Sequence, residues 1–125
     1  YWTDDTSMAL AIAKGLLERN GEFDPHLIME NFVSWMTDGD FSSTGTCFDI
    51  GMTCQMALGK YRKDTSNPYC GPTDPYSAGD GALMRMAPVI IAARDEREAL
   101  ENALLQTNLT HGCTECLQYS EAFAR

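Results

Sequence analysis

A chain of 125 residues, 44% apolar and 22% charged, is long enough for one domain with its own core and is not the composition of a disordered polypeptide. Eighteen acidic residues against nine basic ones give a net charge of −9, a field that repels duplex nucleic acid and anionic membranes, so neither is an expected partner. No apolar run approaches the ~18 residues that span a bilayer and no signal peptide is visible, and the odd count of five cysteines fits reduced thiols in a cytoplasmic protein.

Thr3-Asp4-Asp5-Thr6 stands directly before the first apolar-periodic segment, a helix predicted from about Asp5 to Arg19 with Met8, Ile12, Leu16 and Leu17 on one face. Hydroxyl and carboxylate oxygens at that place serve as caps for unpaired backbone N–H groups. The same oxygens suit a hard cation such as Mg²⁺ or Mn²⁺. Asn20-Gly21 is a C-terminal stop, and Asp24-Pro25 opens a second helix whose inward face is Ile28, Phe32, Trp35 and Met36. Asp38-Gly39-Asp40 ends it, and residues 41–47 form a loop of small and hydroxyl-bearing side chains.

A third helix is predicted from about Phe48 to Lys63, and its apolar residues (Ile50, Met52, Cys54, Met56, Ala57, Leu58, Tyr61) lie nearly all round, which suits a central position. Residues 64–81, with three prolines and three glycines, make a loop longer than compact domains usually carry without a function. It leads into Gly79-Asp80-Gly81-Ala82-Leu83-Met84-Arg85, where glycines before a helix let backbone N–H groups approach an anion. Pro88 should kink or restart that helix, which continues to about Arg94. Asp95 with Glu98 reads as a capping box for a helix to about Thr107 carrying Leu100, Ala103 and Leu104. A sixth helix is expected over 112–125, with Cys113, Leu117 and Phe123 inward. No segment alternates as a strand does, so the fold class is all-α, with residues 1–125 forming a single domain. The five cysteines read as reduced thiols, and His111-x-Cys113-x-x-Cys116 lacks the fourth ligand of a zinc site.

Four blocks carry a family likeness: Thr3-Asp4-Asp5-Thr6-Ser7-Met8, Gly45-Thr46-Cys47-Phe48-Asp49-Ile50-Gly51, the run from Pro72 to Val89, and Thr110-His111-Gly112. In this order the chain resembles the ADP-ribosylglycohydrolases, most of all bacterial members of the dinitrogenase-reductase-activating type. The resemblance implies a multi-helical fold and a dinuclear Mg²⁺ or Mn²⁺ centre. It also implies hydrolysis of an ADP-ribosyl bond, often the N-glycosidic bond to arginine, with ADP-ribose or an ADP-ribosylated protein as partner. Thr3, Asp4 and Asp5 would be the first metal-ligand cluster. Gly79, Asp80, Gly81, Ala82, Met84 and His111 would cradle phosphates and riboses, with Gly45, Thr46 and Cys47 close by.

The chain departs from the family pattern in three ways. An upstream block with the acidic residue of the reaction centre is not among the 125 residues, so no catalytic residue is assigned. A downstream block with the second set of metal ligands is also outside them, so the metal centre is expected to be incomplete. Asp80 stands where the family commonly has asparagine; a carboxylate about 4 Å from a phosphate costs about 1–4 kcal/mol, so weaker ADP-ribose binding is expected. The alternative function is a truncated, non-catalytic helical module that binds ADP-ribose or a protein. If this is the whole gene product, uncovered apolar faces predict a homo-oligomer, a dimer, which light scattering tests.

Overall fold

Local capping chemistry sets several of the helix boundaries in the computed structural model, which describes residues 2–48, 50–71 and 85–112. Five helices occur there: α1 Asp4–Glu18, α2 Pro25–Asp38, α3 Met52–Lys63, α4 Ala87–Ala92 and α5 Glu96–Thr110. The described residues contain no strand, and the fold is all-α as expected. The sixth expected helix lies outside the described residues from Cys113 onward.

At the start of α1 the Asp5 N–H donates to Asp4 Oδ1 at 3.0 Å and the Thr6 N–H to Asp5 Oδ1 at 2.7 Å, so the carboxylates satisfy first-turn donors. The Asp24 carboxylate accepts from the Leu27 N–H at 3.2 Å with Pro25 in the first helical position, and α2 ends on Gly39 in the left-handed region at φ 76°. For α5, Asp95 accepts from the Glu98 N–H at 2.8 Å. The reciprocal half of the box does not form, because Glu98 Oε2 instead accepts from Arg94 Nε at 2.9 Å.

α1 packs on α2 and α4, while α5 lies against α2, α3 and α4. Met8, Ile12, Phe32, Trp35, Leu58 and Met86 form the centre of the shared core. Gly15 sets the α1–α2 approach: a Cβ there would stand 3.0 Å from Ile28 Cγ1. Beside it, Asn31 Nδ2 donates to the Ala11 carbonyl at 3.1 Å, a polar tie between the same two helices.

Several expectations are corrected. α3 begins at Met52 rather than Phe48, and it is one-sided: Cys54, Ala57, Leu58 and Tyr61 are buried, whereas Met52 is 78% exposed. Leu17, expected inward on α1, faces solvent. Pro88 sits in the first turn of a short α4, the restart rather than the kink of the two outcomes expected, and that helix ends at Ala92 instead of near Arg94. α5 runs on to Thr110.

Candidate functional site

The first turn of α1 concentrates the hard oxygens. Thr3 is the N-cap residue, yet its side chain makes no capping bond; its hydroxyl donates to Asp5 Oδ1 at 3.0 Å. Asp5 Oδ1 therefore accepts from both Thr3 and the Thr6 N–H, which fixes that carboxylate. Thr3, Asp4 and Asp5 are all half-buried. Two carboxylates and a hydroxyl are the donor types that Mg²⁺ or Mn²⁺ takes, so the cluster fits such an ion in kind. In number it falls short of an octahedron, and among the described residues no group of three or more His, Cys, Asp or Glu side chains converges.

The loop after α2 is strapped to this end of α1. Gly39 lies so close to Gly45 that a Cβ on Gly39 would run into the Gly45 carbonyl. Between them Phe41 takes φ 68°, a left-handed conformation that bulky residues rarely hold. That twist aims the Phe41 carbonyl at two donors: Trp2 Nε1 at 2.9 Å and Ser7 Oγ at 3.1 Å. Ser43 Oγ returns the contact by donating to the Trp2 carbonyl at 2.7 Å. Further along, burial pushes the Cys47 thiol pKa up and the charge of Asp4 adds to the shift, so Cys47 lies within the field of the cluster. The chain thus brings Thr3, Asp4 and Asp5 together with the loop of Gly45, Thr46 and Cys47.

The expected phosphate-binding positions Gly79, Asp80, Gly81, Ala82 and Met84 lie outside the described residues, as does Asp49. Arg85, which follows them, is fully buried. Its Nε donates to Gln106 Oε1 at 2.8 Å and its Nη2 to the Gln106 carbonyl at 2.7 Å. The guanidinium also lies 4.7 Å from the centre of the Phe32 ring, and Nη1 is 3.7 Å from Met8 Sδ. Burial lowers its pKa to about 10 even though Cys54 pulls the other way.

His111 caps the C-terminus of α5, where its backbone N–H donates to the Thr107 carbonyl. The ring is 2% exposed, with Nδ1 2.7 Å from the Thr110 hydroxyl. Burial, and then the nearby Arg85 charge, push its pKa down to about 4, so the imidazole is neutral near pH 7. Cys70 and Gly71 pack on this end of α5: their N–H groups donate to the Leu109 and Asn108 carbonyls. The structure therefore joins His111 to the buried Arg85 region, while Cys113 and Cys116 of the considered zinc motif fall outside the described residues.

Sequence reasoning did not single out Trp2 or Phe41, and it included Arg85 only as the end of the Gly79–Arg85 substrate loop, not as a buried residue. For Trp2 a signal was available, an aromatic residue directly preceding Thr3-Asp4-Asp5. Phe41 gave none, since its role depends on a backbone angle, and the burial of Arg85 gave none because arginine is ordinarily a surface residue.

Known proteins align with the whole of this region. The profile of the family described as ADP-ribosylglycohydrolase matches residues 1–125. The ADP-ribosylarginine hydrolase Tri1 of Serratia proteamaculans (strain 568) is 38% identical over 121 residues, 97% of this chain and 32% of that protein. The ADP-ribosylarginine hydrolase Tri1 of Pseudomonas putida (strain GB-1) is 34% identical over 124 residues, 98% of this chain and 33% of that protein. Among solved structures, an ADP-ribosylglycohydrolase-related protein complex superposes with a TM-score of 0.76 at 35% identity, over 99% of this chain and 38% of the other. The chain spans about a third of the length of the curated relatives it matches.

Proposed function

The chain belongs to the ADP-ribosylglycohydrolase family and resembles its fold, and on that premise we propose that it forms part of a metal-dependent hydrolase acting on the N-glycosidic bond between ADP-ribose and a protein arginine. The observation that carries this reading is the junction at the start of α1, where Thr3, Asp4 and Asp5 meet the loop that leads to Cys47. Identity of 38% and 34% to proteins named as ADP-ribosylarginine hydrolases supports arginine as the acceptor.

Thr3, Asp4 and Asp5 would hold Mg²⁺ or Mn²⁺ together with ligands from beyond these residues. When bound, such an ion supplies Lewis-acid stabilisation of developing charge and orientation of oxygen ligands. The chain's own contribution is preorganisation. Asp5 is held by Thr3 and the Thr6 N–H, and Asp4 by the Asp5 N–H, so neither carboxylate has to be ordered when substrate arrives. The hydroxyls of Ser42, Ser43 and Thr44 already pair within the loop or with Trp2, which gives the neighbouring wall a fixed shape. His111, neutral near pH 7, would add no charge to the site, and because its ring is buried, donation to a phosphate or ribose oxygen would require the Cys70–Gly71 contacts over it to open. The Gly79–Met84 segment would supply backbone N–H groups to the pyrophosphate, with Asp80 weakening that contact.

The test is release of free ADP-ribose from an arginine-ADP-ribosylated protein. We expect turnover with Mg²⁺ or Mn²⁺ and its loss with chelator. Binding of ADP-ribose with no turnover under any metal would favour the non-catalytic helical module instead.

A further inference from the structure

His111 is the substrate-binding candidate that the fold hides, 2% exposed at the end of α5. Against that end lies a short turn, residues 67–71, which follows α3 in the chain. Two backbone hydrogen bonds of 3.2 Å each hold it there, from the Cys70 N–H to the Leu109 carbonyl and from the Gly71 N–H to the Asn108 carbonyl. Both acceptors belong to the last turn of α5, where carbonyls lack a helical partner and water can take over.

The turn is held together by its own bonds. The Tyr69 N–H donates to Asn67 Oδ1 at 3.0 Å, and Cys70 Sγ donates to the Asn67 carbonyl at 3.1 Å. The Cys70 N–H is shared with the Pro68 carbonyl at 3.0 Å, so it keeps an acceptor when the turn leaves α5. Where the turn crosses the helix end, two glycines meet. A Cβ on Gly71 would run into the Gly112 nitrogen, and one on Gly112 into the Gly71 carbonyl. Neither residue offers a side chain to interlock there. What opposes lifting is the Cys70 side chain, 3% exposed within the shared core, so the closed form prevails.

We propose that residues 67–71 are a gate over His111: the turn lifts off α5 as a unit while the helices stay folded, and the open form presents the imidazole to a ligand. The identity of that ligand, ADP-ribose, rests on the functional reading above. The gate itself rests on the turn and the helix end.

Diethyl pyrocarbonate labels accessible neutral imidazoles. The chain has two histidines, exposed His26 and buried His111, so every sample carries its own reference. Near pH 7 His111 is neutral, and its labelling rate reads access rather than charge. In wild type His111 should label about a hundredfold more slowly than His26, and urea too dilute to alter the helical circular dichroism should leave that ratio unchanged. Gly71→Ala and Gly112→Ala keep the turn from seating. Each should raise the His111 rate about tenfold with the helical signal retained, and should open the Cys70 thiol to N-ethylmaleimide. Gly59→Ala, whose Cβ meets nothing, should change neither. Folded Gly71 and Gly112 variants that label as wild type does overturn the gate. So does wild-type labelling of His111 that appears only as the helical signal is lost in urea, a result that needs no variant to fold. The functional reading is tested separately, by adding ADP-ribose to Gly71→Ala, where it should slow His111 labelling. Raised labelling that ADP-ribose does not slow removes His111 from the substrate site and upholds the gate.

Discussion

His111 ties a single side chain to a measurable property of the whole fold. Its pKa falls from the ordinary value near 6.5 to about 4 because burial and the Arg85 charge disfavour the imidazolium. The unfolded chain therefore binds a proton that the folded chain refuses between those values. Stability from this group is complete above about pH 6.5 and is lost progressively as pH falls towards 4. The loss amounts to about 3 kcal/mol over that window. Denaturant titrations at pH 7 and pH 4.5 should show the loss in wild type and a much smaller one in His111→Gln. An identical slope in both would remove His111 as its source. The sequence offered His111 as a substrate-binding candidate and as part of a His-x-Cys-x-x-Cys run, but not as a deeply buried group. Its depth comes from Cys70 and Gly71 closing over the end of α5, contacts that span nearly forty positions of the chain, roughly the separation that short-range patterns cannot read. The burial of Arg85 was hidden for the same reason: its partner Gln106 is twenty-one residues away.

The elements divide by how local their causes are. α1, α2 and α5 were legible because Asp4, Asp24-Pro25 and Asp95 cap or open them within one turn. α3 was read as starting too early and as apolar all round, because periodicity counts Met52 and Met56 as buried while nothing in the described fold covers them. On α5 the buried face carries Asn102, Gln106, Thr107 and Thr110, and of these Gln106 satisfies the buried Arg85 through both its side chain and its carbonyl. The loop 39–47 permits a sharper test. Gly39 and Gly45 both have positive φ, but a Cβ on Gly39 meets the Gly45 carbonyl, whereas one on Gly45 meets nothing. Gly45→Ala should cost about 1 kcal/mol, the conformational penalty alone. Gly39→Ala adds a backbone clash and should cost about 3 kcal/mol or more. Thermal unfolding of the two variants decides it, and equal losses would mean that the loop does not close as described.

At the scale of the molecule, the described helices bury one core yet leave apolar residues outside it. Leu17 and Ile91 are 80% and 83% exposed on either side of an apolar groove of about 440 Å³ between α1 and α4. Among the described residues no helix is long and apolar enough to cross a membrane. Family membership was legible in the sequence because its blocks are short, ordered and rich in chemistry-bearing residues. The way two of those blocks are joined, through Trp2, Ser43 and the strained carbonyl of Phe41, became visible only with the backbone in place.

The central claim is that Asp4 and Asp5 serve a metal-dependent hydrolysis as well as capping α1. Their isosteric replacement separates the two roles, since an amide oxygen still accepts from the Asp5 and Thr6 N–H groups but no longer carries the charge a hard cation requires. The decisive measurement is ADP-ribose release from an arginine-ADP-ribosylated protein, at saturating Mn²⁺, by wild type and the Asp4→Asn/Asp5→Asn double variant. We predict turnover in wild type and none in the variant, with both folded by circular dichroism; turnover in the variant equal to wild type contradicts the account.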